Sequence, residues 1–327
     1  MWHIGIDLHR RMLVMAAIKD DGEVIDPLRI DCRDTAAILQ TAEDLKPFRA
    51  VIEASGTYRW LYDLLSPHGS VLLAHPLRLR AMIQRRAKTD KLDAQLLGNL
   101  LRINQIPLAY IPPKNYQQLR DLTRCRARLT RGQAKAKINL RGLLARQNRA
   151  APYKIPFGPR GVAWFRKQDF GPIENLVRDQ LLGQLAHYAE HVAAIDRRIA
   201  QVRQDFPQVE ALLDIYGIGV FSALVIIAEL GEVERFRTAK QVGAYAGLTC
   251  RVHQSGSHCY HGSITHQGCP WLRWVLVQAA MHVVRSDVAL RNFYTRIRKR
   301  SSAKIARVAT ARKLAEICWK RLRRWHE

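Results

Sequence analysis

Residues 4–30 read IGIDLHRRMLVMAAIKDDGEVIDPLRI, and this stretch decides the fold of the first third of the chain. Ile4, Ile6 and Leu8 alternate with Gly5 and Asp7, the period-two pattern of a strand. Met12 to Ile18 is a second apolar run, and Asp20-Asp21-Gly22 makes a hairpin turn between it and a third strand over Val24 to Ile30. Further along, Asp34 is placed to cap a helix over Thr35 to Leu45. A short buried strand covers Ala50 to Ile52, a helix runs from Thr57 to Leu65, and another strand spans Val71 to Ala74. A three-strand meander followed by alternating helix and strand predicts an α/β unit over residues 1–110, a mixed sheet with helices outside it.

Beyond it the periodicity changes. Residues 111–207 are expected to form an elongated helical region, in which Leu181, Leu185, Tyr188, Val192, Ile195, Ile199 and Val202 are spaced alternately by four and three. An earlier arm, Leu119 to Leu144, carries a poorer seam and many more Arg and Lys, and the Pro- and Gly-rich stretch Ala151 to Pro172 reads as a loop or hinge. A coiled-coil hairpin is the simplest reading; its seam joins either two protomers or two helices of one chain. Residues 208–327 read as a second, mainly helical domain, with a loop from Thr249 to Pro270 dense in Ser, Gly, His and Cys.

Charge narrows the function. The 327 residues hold 53 Lys and Arg against 28 Asp and Glu, a net charge of +25. Such an imbalance repels itself and calls for a polyanionic partner. No stretch is long and apolar enough to span a bilayer, and the N-terminus lacks signal-peptide order. A membrane partner is therefore not expected. The six cysteines contain no Cys-x-x-Cys pair, as expected of reduced thiols in a cytoplasmic protein, nucleoid-associated when on DNA. Arg120 to Arg149 carries ten basic residues and one acid, and Arg285 to Glu327 fourteen and three. Arg78, Arg80, Arg85, Arg86 and Lys88 extend the basic surface. Helical stripes of this kind neutralise many phosphates, so binding should weaken steeply with salt.

In so basic a chain the acids at strand ends need explaining. Asp7 lies within the first apolar strand, where a charge costs several kcal/mol unless paired or metal-bound. Glu53 ends the buried strand, and Asp90 and Asp93 lie three apart, on one face of a helix. If the first and fourth strands are neighbours, Asp7 and Glu53 stand side by side and a following helix can add the other pair. Two Mg²⁺ ions would neutralise four such carboxylates and clamp the oxygens of a phosphodiester. The alternative is that Asp90 and Asp93 are solvated helix residues paired with Lys88 or Lys91, and Asp7 an isolated paired acid.

GIDLH at 5–9, EASGTY at 53–58 and KTDKLDAQLL at 88–97 resemble the DEDD signature of a family of insertion-sequence transposases, the Piv-like, RuvC-type enzymes understood as bridge-RNA-guided recombinases. The resemblance implies a ribonuclease-H-like N-terminal domain and carries the four acidic roles onto Asp7, Glu53, Asp90 and Asp93. It extends to the C-terminal part, through ERFRTAKQVGAYAGLT, QSG and GSITHQGCPWLRWVLVQAA. There it implies a serine nucleophile that forms a covalent phosphoserine link with DNA, at Ser255, with Ser257 as the neighbouring candidate. It also implies donor and target DNA, a guide RNA, and work as a homo-oligomer, a dimer or tetramer. The family's loop ends in a lysine-glycine-asparagine-like stretch where this chain has His266-Gln267-Gly268-Cys269-Pro270, so a basic contact falls to His266 or Arg273.

Two further features stand beside this. Gly217-Ile218-Gly219 between helical runs is a helix-hairpin-helix pattern whose backbone N–H groups can approach phosphate; a tight turn without ligand uses the same glycines. Cys250-x-x-His253 with His266-x-x-Cys269 has ligand-like spacing, but the resembling family does not call for zinc. The expected function is thus DNA strand exchange by a transposase or recombinase. Its rivals are a metal-dependent, junction-resolvase-like endonuclease and a non-catalytic nucleic-acid-binding protein.

Overall fold

The structure is a computed structural model that describes residues 1–82, 89–255 and 258–326; of His253, Ser255, His258, Cys259, His261 and His326 it describes the backbone alone. The chain divides into two compact units, Met1–Ile111 and Pro112–Glu327.

In the first unit, β1 (Trp2–Leu8), β2 (Met12–Lys19) and β3 (Val24–Asp31) form the expected antiparallel meander. The β2–β3 turn uses Gly22 at φ +96°, a left-handed backbone that glycine adopts without strain. After α1 (Thr35–Asp44), β4 (Phe48–Glu53) joins β1 in parallel; after α2 (Tyr58–Leu65), β5 (Ser70–Ala74) joins β4 in parallel. The order β3-β2-β1-β4-β5 is the mixed sheet of a ribonuclease-H-like domain. Asp34 caps α1, its carboxylate accepting from the Ala37 N–H at 3.0 Å, as the sequence predicts.

The sheet is covered on both faces. Ile4, Ile6 and Ile52 pack with Ile38 and Ala42 of α1 and Leu61 and Leu65 of α2. The other face carries α4 (Asp90–Arg102), which follows the short α3 (Pro76–Met82) and packs Leu97 and Leu101 against Val51. Gly5 lets α4 lie directly on β1. A Cβ there would stand 2.0 Å from the Ala94 carbonyl oxygen and 2.3 Å from the Gly98 nitrogen.

The second unit begins with α5 (Lys114–Arg146) and α7 (Pro172–Val202), joined through α6 (Pro159–Lys167). The stretch expected as a loop thus holds a short helix, because Phe165 is fully buried with Leu140, Leu182 and Leu185. α5 and α7 run antiparallel: Tyr188 lies on Gly132, and Arg126 pairs with Asp196 at 3.0 Å. The heptad seam is therefore used within the chain.

Further along come α8 (Glu210–Leu213), α9 (Val220–Leu230), α10 (Ala239–Tyr245), α11 (Pro270–Ser286), α12 (Val288–Arg300) and α13 (Ala303–His326). Residues Ala223 to Leu230 of α9 are buried all round, the signature of a helix at the centre of a core. Leu119 of α5 and Ile199 of α7 belong to that same core, with Leu276 of α11 and Leu314 of α13. The helical middle and the C-terminal segment therefore fold as one body.

The segment 249–270, expected as a loop, is largely a β-hairpin of β6 (Cys250–Ser255) and β7 (His258–Ile264). Its polar composition reads as loop, yet two strands bonded mainly to each other need no apolar face to pair. Among the described residues no helix is long and apolar enough to cross a membrane.

Candidate active site

The acidic site is assembled by the meeting of β1, β4 and α4. The parallel register pairs Ile6 with Ile52, so the next rung sets Asp7 beside Glu53 at the carboxyl ends of both strands. Side chains alternate along a strand, so Asp7 shares the Gly5 face, which is the face that α4 covers. Thr89 caps α4, its hydroxyl oxygen accepting from the Leu92 N–H at 3.3 Å, and Asp90 and Asp93 occupy the first turn. Negative charge is favoured there by the helix dipole.

Asp7, Asp90 and His9 converge, with one ligand atom from each inside a mutual 4.8 Å. The His9 Nε2 lies 3.2 Å from the Asp7 carboxylate and 3.3 Å from that of Asp90. His9 is a residue that the sequence reading passes over; its one signal is its place two residues after an acid at the end of a buried strand. Arg29 of β3 reaches the other Asp90 oxygen at 3.3 Å. Glu53 and Asp93 stand outside the three-residue group. Glu53 is half-buried on the neighbouring strand, and Asp93 is close enough to push on the charge of Asp7.

Burial raises the Asp7 carboxyl above the ordinary aspartate value, and the charges of Asp90 and Asp93 raise it further while His9 opposes them. Asp7 is 15% exposed, whereas His9 and Asp90 are 54% and 40% exposed. Asp7 is thus recessed beside two more exposed groups, and the cluster fits a divalent cation. Hard carboxylate oxygens repel one another there, and a bound cation would relieve the repulsion. Arg85, Arg86 and Lys88, expected beside it, lie outside the described residues.

In the second unit, Ser255 is the last residue of β6, opposite His258 across the hairpin. Ser257 lies outside the described residues. The hairpin is held at its base, where the Thr265 N–H bonds the Thr249 carbonyl at 2.9 Å. Gly247 and Gly268, at φ +67° and +142°, flank it in backbone conformations that other residues rarely adopt. A Cβ on Gly268 would stand 2.5 Å from the Tyr245 carbonyl oxygen.

Cys269 then ties the hairpin to the core. Its N–H bonds the Tyr245 carbonyl at 2.7 Å, its sulfur caps α11 at Leu272, and its thiol donates to Glu229 at 3.2 Å. Burial, reinforced by Glu229, pushes that thiol up to about 12. Arg273 is engaged with backbone, within 3.4 Å of the carbonyls of Ala246 and His266.

Glu229 itself, 1% exposed, is not singled out by the sequence reading. Arg124 binds both its oxygens at 2.7 Å, and Arg120 donates to the carbonyls of Ala228 and Glu229 at the end of α9. A lone acid in the apolar run ALVIIAEL is the available signal, since a buried charge must be paired. Gly217, at φ +89°, allows a tight approach to α11: a Cβ there would stand 2.4 Å from that of His282. Gly219 caps α9 and has open space around its Cα. The helix before this pair of glycines, α8, is a single turn.

Comparison with known proteins places two matches on this frame. A family model described as a transposase, of the IS110 DEDD type, matches residues 4–148; another, described as the transposase IS116/IS110/IS902 family, matches residues 209–295. A probable family 20 transposase of Pseudomonas aeruginosa is 28% identical, over 98% of this chain and 96% of its own length. The transposase for insertion sequence element IS1111A of Coxiella burnetii is 24% identical, over 98% and 89%. A pilin gene-inverting protein of Moraxella bovis is 26% identical, over 71% of this chain and 66% of its own.

Proposed function

The chain belongs to the IS116/IS110/IS902 family of transposases, and on that premise we propose that it exchanges DNA strands through a serine nucleophile assisted by a Mg²⁺-dependent acidic site. The observation that carries this reading is the convergence of Asp7, His9 and Asp90 at the carboxyl end of the central strand, in the unit that the DEDD transposase model matches.

Asp7 and Asp90, with Glu53 and Asp93 beside them, would hold Mg²⁺ as a pair of ions, since four carboxylates can neutralise two. Bound there, the metal would neutralise charge on the attacking and leaving oxygens of a phosphodiester. Ser255 Oγ attacks phosphorus, the bond to the 3′-oxygen breaks, and the 5′-phosphate remains on the serine as an ester until the new strand's 3′-hydroxyl displaces it. The ester conserves the phosphodiester energy, so rejoining needs no nucleotide cofactor. Each half-reaction is a transfer that splits one difficult step into two. The basic faces of α5, α12 and α13 hold backbone phosphates and supply affinity without sequence. Sequence would come from a guide RNA, and a homo-oligomer, dimer or tetramer, would bring together the two ends of the element.

The test is a denaturation-resistant protein–DNA adduct, formed with Mg²⁺, the RNA flanking the element and matched DNA. It should form with the native chain, vanish in Ser255→Ala, and fail in Asp7→Ala. A second reading, a metal-dependent endonuclease with water as nucleophile, draws on the four acids all lying within Met1–Ile111. It predicts cleavage without an adduct, unchanged in Ser255→Ala.

A further inference from the structure

The exposed face of α5 continues past the buried pair at Glu229. Arg124, Arg128 and Arg131 follow one another at intervals of four and three, a single stripe along the helix. Arg124 turns inward to Glu229, and its two successors meet indole rings instead. The Arg131 guanidinium carbon lies 4.5 Å from the ring centre of Trp271 and 5.4 Å from that of Trp274, while that of Arg128 lies 5.7 Å from Trp271. Trp271 and Trp274 are three apart on α11, hence on one face, and both are half-buried. Arg128 and Arg131 are exposed.

Neighbouring Arg126 shows what a purely structural arginine looks like here. It stacks on Phe221 at 4.3 Å, and Asp196 neutralises it. Arg128 and Arg131 have no carboxylate partner among the described residues. Two adjacent cations are thus held by ring faces alone, which attract them but leave their charge intact. A guanidinium seated over aromatic rings is a planar group part of whose ordering cost is met before any ligand arrives. Unpaired bases stack on such planes, and phosphates take the charge beside them.

We propose that Arg131, held by Trp271 and Trp274, is a stacking platform for an unpaired DNA base, with Arg128 taking the adjoining phosphate. The inference rests on the strand-exchange reading for its choice of DNA: exchange requires unpaired bases at the crossover, and Trp271 follows by two residues the cysteine that anchors the Ser255 hairpin. A guanidinium plane flanked by indoles meets the base face and the phosphate charge. Neither contact draws on a ribose hydroxyl, so the platform gains nothing from RNA.

The experiment is a fluorescence-anisotropy titration of the full chain with labelled oligo(dT), oligo(U) and a blunt DNA duplex. Arg131→Lys keeps the charge and removes the plane. It should weaken oligo(dT) binding about ten-fold, change duplex binding less than about two-fold, and leave the salt dependence as it was. Arg131→Gln, which also removes the charge, should weaken oligo(dT) at least as much and flatten the salt dependence. Thermal melts of both variants should stay within a few degrees of the native chain, since Arg131 is exposed and its ring contacts contribute little to stability. Native-like oligo(dT) binding by Arg131→Lys overturns the proposal, as does an equal loss on the duplex or a larger loss on oligo(U). Adduct formation by Ser255 is scored separately on the native chain: its absence defeats the serine-transposase reading while the oligo(dT) result stands or falls alone.

Discussion

Replacing Gly5 by alanine puts a Cβ 2.0 Å from the Ala94 carbonyl oxygen, 2.3 Å from the Gly98 nitrogen and 2.9 Å from the Leu97 Cβ. Two of these atoms are backbone and cannot swing aside, so α4 itself has to lift from β1. Relief from 2.0 Å to the 3.4 Å of ordinary contact is a movement of about 1.4 Å. Asp90 sits one turn before Ala94 on that rigid helix, and its carboxylate would move with it, out of a cluster only 4.8 Å across. Overpacking of this kind costs roughly 1–3 kcal/mol, a fall of about 4–20 °C in the melting temperature of a domain this size. Displacement of a reacting group by about 1 Å costs about 100-fold in rate. Gly98→Ala meets its nearest atom, the His3 carbonyl oxygen, at 3.2 Å and should behave as a milder version. The assays are thermal melts with and without Mg²⁺, and adduct formation at a temperature where the variant is folded. A Gly5→Ala chain that melts like the native one, with the same Mg²⁺-induced rise and the same adduct yield, would refute the idea that α4 docking sets the site.

Three other outcomes are expected. Arg124→Ala leaves the buried Glu229 without its bidentate partner and should cost about 3–5 kcal/mol, while Glu229→Ala, which strands the half-buried Arg124, costs less and the double variant less than the sum; additive losses in a thermal-melt cycle would remove the coupling. Because burial and two neighbouring acids raise the Asp7 carboxyl, its charged form opposes folding, and the loss sets in as pH rises from the ordinary aspartate value through the raised one. Asp7→Asn in chelator should therefore raise the melting temperature at neutral pH, the gain fading on acidification below the ordinary aspartate range; a gain that grew with acid would contradict the sign. Burial pushes the Cys318 thiol up to about 12, so a thiol reagent at pH 8 should label exposed Cys125 and Cys250 while Cys318 waits for unfolding, as peptide mapping would show.

The N-terminal sheet is legible because its strands are short apolar runs with clear turns, while the pairing of β1 with β4 enters the sequence reading only as a condition that the structure meets. What brings Asp90 to Asp7 is less legible. It depends on a helix lying directly on a strand, and in the sequence Gly5 is one position of an alternation rather than the opening for that contact. His9 escapes for a related reason: a histidine beside an acid gains meaning only once a second acid arrives from another element. In the second unit, helical periodicity marks the long arms but not their partner, because a seam of leucines does not say which chain it faces. The hairpin carrying Ser255 reads as loop, since its pairing is carried by backbone groups that side-chain pattern does not report. The buried Glu229 is visible from its apolar surroundings, but Arg120 and Arg124 stand among ten basic residues of one arm, and sequence does not choose among them.

The division at Ile111 also orders events in time. A ribosome delivers Asp7, Glu53, Asp90 and Asp93 within one contiguous unit, and Ser255 follows 162 residues after the last of them. At about 5–20 residues per second, with domains folding as they emerge, the interval is on the order of ten to thirty seconds. On the strand-exchange reading, a nascent chain would for most of that time carry the acidic cluster without the serine proposed as nucleophile. If that reading holds, a message broken in that interval would yield a fragment able to compete for DNA but not to bond to it covalently, whereas the water-using reading would make the same fragment a source of stray breaks.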